Sequence, residues 1–200
     1  MLVWINGPFG GGKTVTAFEL ARRCEGAVVC DPEEVGFGLR RAMPPAVWGG
    51  DFQDLRSWRQ GVVEVLDRTL NGIDGPVLVP MTLVDERYVE EVIGGLRALG
   101  HDVRHIALMT SAQEVRRRLY WRGIPGINRD LWALEQVDRC LEALNRPGFA
   151  EPVDTAGRTV AEVADAVADL VGLRITPSDD GPVRAWLRRT RTSLAHIRLR

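Results

Sequence analysis

Short apolar runs alternate along the chain with longer stretches in which apolar residues recur every three or four positions. The runs fit buried parallel strands at 2–5, 27–30, 77–82, 103–109 and roughly 149–153. The longer stretches fit helices near 13–23, 57–70, 86–99, 112–122, 131–144 and 160–171. Thr159 with Glu162 has the spacing of a capping box for the last helix. Alternation of this kind predicts a parallel sheet of about five strands with helices on both faces. Pro80 is awkward inside a strand because it cannot donate to the ladder, and it falls near the strand's carboxyl end. Residues 43–50 read as loop, and 176–182 as a linker. The chain shows no internal repeat.

Composition narrows the class. Two hundred residues, 45% hydrophobic and 26% charged, suit one soluble domain, placed at 1–175, followed by a tail at 176–200. No apolar run is long enough to span a bilayer and the first residues lack a signal-peptide pattern, so a cytoplasmic location is expected. Cys24, Cys30 and Cys140 lack metal spacing and read as reduced thiols. His101 and His105 have no matching Cys or His partners and read as surface or core residues. The net charge of -1 hides an asymmetry: 181–200 holds six arginines and no acid, so the body is acidic. An acidic body argues against a nucleic-acid binder.

The strongest chemical signal is Gly7-Pro8-Phe9-Gly10-Gly11-Gly12-Lys13-Thr14, a full match to G-x-x-x-x-G-K-[ST]. Lys13 is the only lysine of the chain. A lysine is a compact charge on a flexible stem and follows a phosphoryl group more readily than the planar arginine fork. The motif lies between an apolar run and a helix, which aims backbone N–H groups and a helix N-terminus at an anion. The expected fold is therefore a three-layer α/β P-loop NTPase fold with a helical lid. Gly7, Phe9, Gly10, Gly11, Gly12, Lys13, Thr14 and Thr16 are the expected ATP contacts, with Thr14 also on Mg²⁺.

Ligands of open α/β sheets bind beyond the carboxyl ends of the strands. Asp31 follows the second strand and reads either as a base or outer-shell magnesium group, or as the cap of the next helix. Asp51 and Asp54 are weaker candidates. Gln53, Trp58 and Arg59 are candidates for an acceptor pocket, although core packing is the commoner role for a tryptophan. The third strand ends at Thr82, with Asp85 three residues on, so the usual strand-end aspartate is missing. Magnesium would then rest on Thr14, phosphates and water, with Asp31 outside.

Arg116, Arg117, Arg118 and Arg122 lie on the helix after the fourth strand, before a Gly/Pro loop that carries Arg129 and a further helix with Arg139. Arg118 and Arg122 share a face. A lid at about 116–131 that closes over a triphosphate is one reading. The other is a solvated face paired with Glu114. Arg40 and Arg41 form a second basic pair, suited to an acceptor phosphate.

Several segments resemble the tunicamycin-resistance proteins of bacteria: Trp4-Ile5-Asn6-Gly7, the loop, Thr16 to Leu20, Asp31-Pro32-Glu33, Gly36-Phe37, Asp51-Phe52-Gln53, Val79-Pro80-Met81-Thr82, Asp138-Arg139-Cys140 and Leu194 to Arg198. The family is similar in turn to nucleoside and small-molecule kinases. The resemblance implies an ATP-binding protein that confers resistance to tunicamycin, a nucleoside-like antibiotic, by phosphorylating it. Arg118-Leu119-Tyr120-Trp121-Arg122 looks like a kinase lid pattern. Sequestration of the drug without chemistry, and a housekeeping nucleotide kinase, are the competing readings.

In the tail, Val183, Trp186, Leu187, Leu194 and Ile197 fall on one helical stripe flanked by Arg184, Arg188, Arg191 and Arg198. The stripe either packs on the acidic body or lies on an anionic membrane as a peripheral anchor. Packing is the expected outcome. The full chain should then ignore anionic vesicles, and deletion of 181–200 should lower the melting temperature. Salt-sensitive vesicle binding that the deletion abolishes, with the core still stable, would reverse this assignment.

Overall fold

The computed structural model describes residues 1–122 and 131–178. The expected tail helix and Arg129 lie outside them. Five parallel strands form one sheet in the order β2-β3-β1-β4-β5. They are β1 (Leu2–Asn6), β2 (Val28–Val29), β3 (Val77–Pro80), β4 (Val103–Met109) and β5 (Glu151–Asp154). The helices are α1 (Lys13–Arg23), α2 (Glu33–Ala42), α3 (Arg56–Gly72), α4 (Glu86–Val89), α5 (Gly95–Ala98), α6 (Ala112–Arg122), α7 (Leu131–Leu144) and α8 (Val160–Val171). This is the three-layer arrangement expected of the sequence.

Side-chain alternation along the strands builds two cores. Leu2 and Trp4 of β1, with Val77 and Val79 of β3, face α3 and the helical run 86–98, and meet Trp58, Val62, Leu66, Val92, Ile93 and Leu96. Val3 and Ile5, with Leu78, Ile106 and Leu108, face α1 and α8, and meet Leu20, Val163 and Val167. All five residues of β1 are buried, as a central strand covered on both sides requires. A smaller cluster of Val115, Leu119, Ala133 and Val137 joins α6 to α7 and takes in Phe9 and Trp132.

Several boundaries differ from the sequence reading. The strand expected at 77–82 ends at Pro80, although Met81 N–H still donates to the Ile5 carbonyl at 3.2 Å. The odd-numbered amides of β3 face β1, and the carbonyls of Pro76 and Leu78 accept from Val28 and Cys30 N–H. Pro80 therefore turns its missing N–H toward the chain at Cys30, and the pairing with β2 ends at this point. The β5 pairing starts at Glu151, not 149.

For α2 the sequence offers a start, the helix that Asp31 would cap, but no extent. Gly36 and Gly38 lower its intrinsic propensity, and Gly36 is there for packing. A Cβ on it would stand 2.6 Å from the Phe52 ring. Residues 43–50, expected as loop, include a 3₁₀ turn at Pro45–Val47, and a second follows at Phe52–Asp54. The single helix expected at 86–99 is broken by a π turn at Glu90–Gly94. A Cβ on Gly94 would fall 2.6 Å from a Glu90 carboxylate oxygen, so glycine lets that side chain fold back. The capping box of Thr159 and Glu162 is present.

Two polar knots fix the chain at opposite ends of the sheet. At the amino-terminal edge, the buried Arg23 donates to the carbonyls of Thr176 at 2.7 Å and Ala161 at 3.3 Å, and pairs with Asp165. Thr176 N–H returns a bond to the Arg23 carbonyl at 2.8 Å. At the carboxyl edge the knot is Asn6, which is fully buried. Its Oδ1 accepts from Gly7 N–H at 2.9 Å and Leu83 N–H at 3.1 Å. Its Nδ2 donates to the Leu83 carbonyl at 2.6 Å and to His105 Nε2 at 3.0 Å.

His105 must be neutral to accept that bond. Burial, reinforced by Arg97, holds its pKa down at about 4. The unfolded chain, with an ordinary histidine, takes up the proton first as pH falls. Stability is thus full above about pH 6.5 and is lost between 6.5 and about 4, by roughly 3 kcal/mol in all. Denaturant midpoints across that range should show the loss, and His105→Gln should flatten it.

Candidate functional site at the end of the central strand

The chain leaves β1 for β2 beyond β3, returns to β3, then crosses to β4 on the other side of β1. The carboxyl end of β1 is therefore where connections diverge, the usual ligand position in such sheets. The loop from Gly7 to Gly12 stands there. Gly10 and Gly12 have φ of 76° and 93°, which L side chains avoid. A Cβ on Gly10 would meet Leu119 at 2.9 Å, and one on Gly11 the Pro8 carbonyl at 2.8 Å. Gly12 caps α1 without a side-chain bond, so the first-turn amides keep no capping oxygen of their own. This cradle of backbone donors fits a phosphate.

Lys13 folds back across the loop. Its Nζ donates to the carbonyls of Gly7 at 3.2 Å and Pro8 at 3.0 Å and lies 5.6 Å from the Phe9 ring centre. Phe9 in turn meets Trp132 of α7 edge-on at 5.0 Å. Thr14 is half-buried in the first turn of α1, while Thr16 is buried and its N–H donates to the Gly12 carbonyl at 3.0 Å.

The neighbouring strand end supplies a second layer. Thr82 is buried and donates its hydroxyl to the Gly7 carbonyl at 2.8 Å. Its own carbonyl accepts from Gln53 Nε2 at 3.1 Å. Gln53 thus stands one residue away from the phosphate loop. Asp31 follows β2, and its Oδ1 accepts from Glu33 N–H at 3.0 Å, so the carboxylate does cap α2. Arg40 donates to the Gly50 carbonyl at 2.8 Å, its guanidinium 5.4 Å from the Phe52 ring and 5.7 Å from Trp48. Arg41 is exposed.

Trp58 corrects the acceptor-pocket reading. It has no exposed surface, packs on Phe52 with ring centres 5.5 Å apart, and donates its indole N–H to the Pro32 carbonyl at 3.0 Å. It is core, the commoner role for the residue. Asp85 caps α4 through Arg87 N–H at 2.9 Å and does not stand in for a strand-end aspartate. Among the described residues no group of three or more His, Cys, Asp or Glu gathers to hold a metal. A magnesium ion would rest on Thr14 and on phosphate oxygens.

Arg116, Arg117 and Arg118 of α6 are engaged. Arg116 Nη2 donates to both carboxylate oxygens of Asp138 of α7, at 2.6 and 2.7 Å. Arg117 and Arg118 share Glu114, at 2.8–2.9 Å and 2.8 Å. The bonds from Arg117 and then Arg118 hold the Glu114 carboxyl down at about 2. This is the paired arrangement weighed against the lid reading. Arg122 ends α6, and Arg139 donates to Gln136 at 3.3 Å. Asn6, Thr82's bond to the loop and the Phe9–Trp132 contact were not expected. Asn6 carried a signal, since an amide closing a buried apolar run must find partners.

Comparison with known proteins agrees with this geometry. The AAA domain family matches residues 2–147. No curated protein matches the chain. The tunicamycin resistance protein of Deinococcus radiodurans shares 31% identity, with a TM-score of 0.74 over 88% of this chain and 99% of its own. A gluconokinase of Sinorhizobium meliloti 1021 gives 0.60 at 18% identity over 85% and 91%. The APS kinase of Mycobacterium tuberculosis, in complex with AMPPNP and APS, gives 0.59 at 18% identity over 86% and 96%. The last two share the fold. The family match and the closer relative together establish that the chain belongs to the AAA domain family and, within it, to the tunicamycin-resistance proteins.

Proposed function

We propose that the protein is an ATP-dependent phosphotransferase that moves the γ-phosphoryl group of ATP to a hydroxyl of tunicamycin. The observation that carries this reading is the glycine cradle at the end of β1, with Lys13 over it and Gln53 beside it across Thr82. The Deinococcus relative supports the choice of acceptor. The kinase-like neighbours share the fold.

In this reading the loop amides and Lys13 bind the phosphates, and Thr14 contributes its hydroxyl to magnesium. The ion, once bound, neutralises charge on the β- and γ-phosphates. Asp31 accepts the proton of the attacking hydroxyl, and Gln53 orients the acceptor. Arg118, Arg122 and Arg129 answer the charge that develops in transfer, with Arg118 exchanging Glu114 for phosphate. The free thiols of Cys24, Cys30 and Cys140 suit the reducing cytoplasm where ATP is available.

A second reading is ATP-dependent sequestration of the drug without chemistry. It is favoured by the use of Asp31 as a helix cap and by the missing strand-end aspartate. Incubation with ATP, Mg²⁺ and tunicamycin separates the two. A phosphate-sized mass gain on the drug with matching ADP release is expected, and drug binding without either result would sink the transferase reading.

Lys13→Ala should leave the fold intact, because the ammonium contacts loop carbonyls and not the core. Turnover should fall by about a hundredfold or more. Near-normal turnover in the folded variant would exclude the proposed role.

Asp31→Asn keeps a capping oxygen and removes the charge. If Asp31 is the base, turnover should fall steeply at unchanged ATP affinity. If it only caps α2, activity should persist and stability should drop by about 1 kcal/mol or less. Turnover and melting temperature measured on one preparation decide between them.

A further inference from the structure

The 3₁₀ turn Phe52–Asp54 has three residues and is held at four points. Asp51 Oδ1 accepts from Gln53 N–H at 3.0 Å. The Gln53 amide donates to the Thr82 carbonyl at 3.1 Å. Arg59 Nη1 donates to the Gln53 carbonyl at 2.6 Å. The Tyr88 hydroxyl donates to Asp54 Oδ1 at 2.9 Å. So many grips on so short a segment go beyond what closing a loop requires.

Arg59 is the outer anchor. It is 9% exposed, and burying a guanidinium costs several kcal/mol unless its donors are used. Its Nε donates to Glu91 at 2.7 Å, and its plane lies 4.2 Å from the Tyr88 ring centre. Glu91 belongs to the π turn, a feature often found at functional sites. A leucine or methionine would tie α3 to this helix more cheaply, which argues that the guanidinium is kept for its directed bonds.

From Arg59 the bonds run without a gap to the phosphate loop: to the Gln53 carbonyl, from the Gln53 amide to the Thr82 carbonyl, and from the Thr82 hydroxyl to the Gly7 carbonyl. Lys13 donates to that same Gly7 carbonyl. We infer that Arg59 is a positioning residue, which sets the acceptor-side Gln53 and the phosphate loop in one register through Thr82. This rests on the loop binding ATP, as proposed above, and adds a coupling between that loop and a side chain on α3.

A double-mutant cycle on ATP affinity tests the inference, using the full chain, calorimetric titration with ATP and temperatures below unfolding. Thr82→Val removes only the hydroxyl and should weaken ATP by at most about tenfold, since no more than the worth of one buried hydrogen bond can be lost. Arg59→Met should weaken ATP about threefold alone and add nothing in the Thr82→Val background, because the chain of bonds is already cut. An unchanged ATP affinity for Arg59→Met, even with a lower melting temperature, would reduce Arg59 to structural support. Multiplying effects in the double variant would overturn the relay as well. If Arg59→Met does not fold, Arg59→Lys takes its place. It keeps the charge near Glu91 but cannot fork to Gln53 as well, and the same outcomes apply. Lys13→Ala is the control. If it leaves ATP affinity unchanged, the nucleotide does not sit on the loop and both readings fall. If it abolishes binding while Arg59→Met does not matter, only the relay falls.

Discussion

The carboxamide of Asn6 is the constraint on which the rest of the site depends. An amide offers two donor hydrogens and two acceptor lone pairs, and here all four are used within the core. They hold β1 to the first amide of the phosphate loop, to the chain leaving β3 and to His105 of β4. No other side chain of this size can replace it. An aspartate would turn an acceptor toward the Leu83 carbonyl, which can only accept. A leucine would strand the Gly7 and Leu83 amides in the core, at a cost of about 1–3 kcal/mol for each group. The path of the loop is thus decided one residue before the motif begins.

Electrostatics around the loop follow from the same economy of partners. Among the described residues, Lys13 is matched to the Gly7 and Pro8 carbonyls, and on α6 Arg116 is matched to Asp138 and Arg117 and Arg118 to Glu114. A phosphate entering the cradle competes with the Gly7 and Pro8 carbonyls for Lys13. The exchange favours a doubly charged phosphoryl group over a weaker anion such as a lone carboxylate.

Much of the fold was legible in the sequence. The helices at 13–23, 112–122, 131–144 and 160–171 fall where periodicity places them, because each has a continuous apolar stripe and clear stops. Only the start of α2 was legible, from Asp31 and the two glutamates after Pro32, because Gly36 and Gly38 break its pattern, and the reason for Gly36 is the Phe52 ring, sixteen positions away. The π turn is hidden for a similar reason, since a glycine four residues after a glutamate says nothing until the carboxylate folds over it. Within the site, the loop could be read from spacing alone. The roles of Thr82, Gln53 and Arg59 could not, because hydrogen bonds between residues 6, 29 and 75 positions apart leave no periodic pattern. Trp58 shows the converse case: a residue type suited to stacking on a ligand is taken by the core once α3 is in place.

The clasp between Arg23 and Thr176 has a geometric consequence. α1 starts at the phosphate loop and runs back along the sheet for eleven residues, about 16 Å. Arg23 ends that helix, so Thr176 is fastened at the end of α1 away from the loop. The phosphate loop and this clasp therefore sit at the two ends of one helix, and a change at Thr176 is separated from the loop by the whole length of α1.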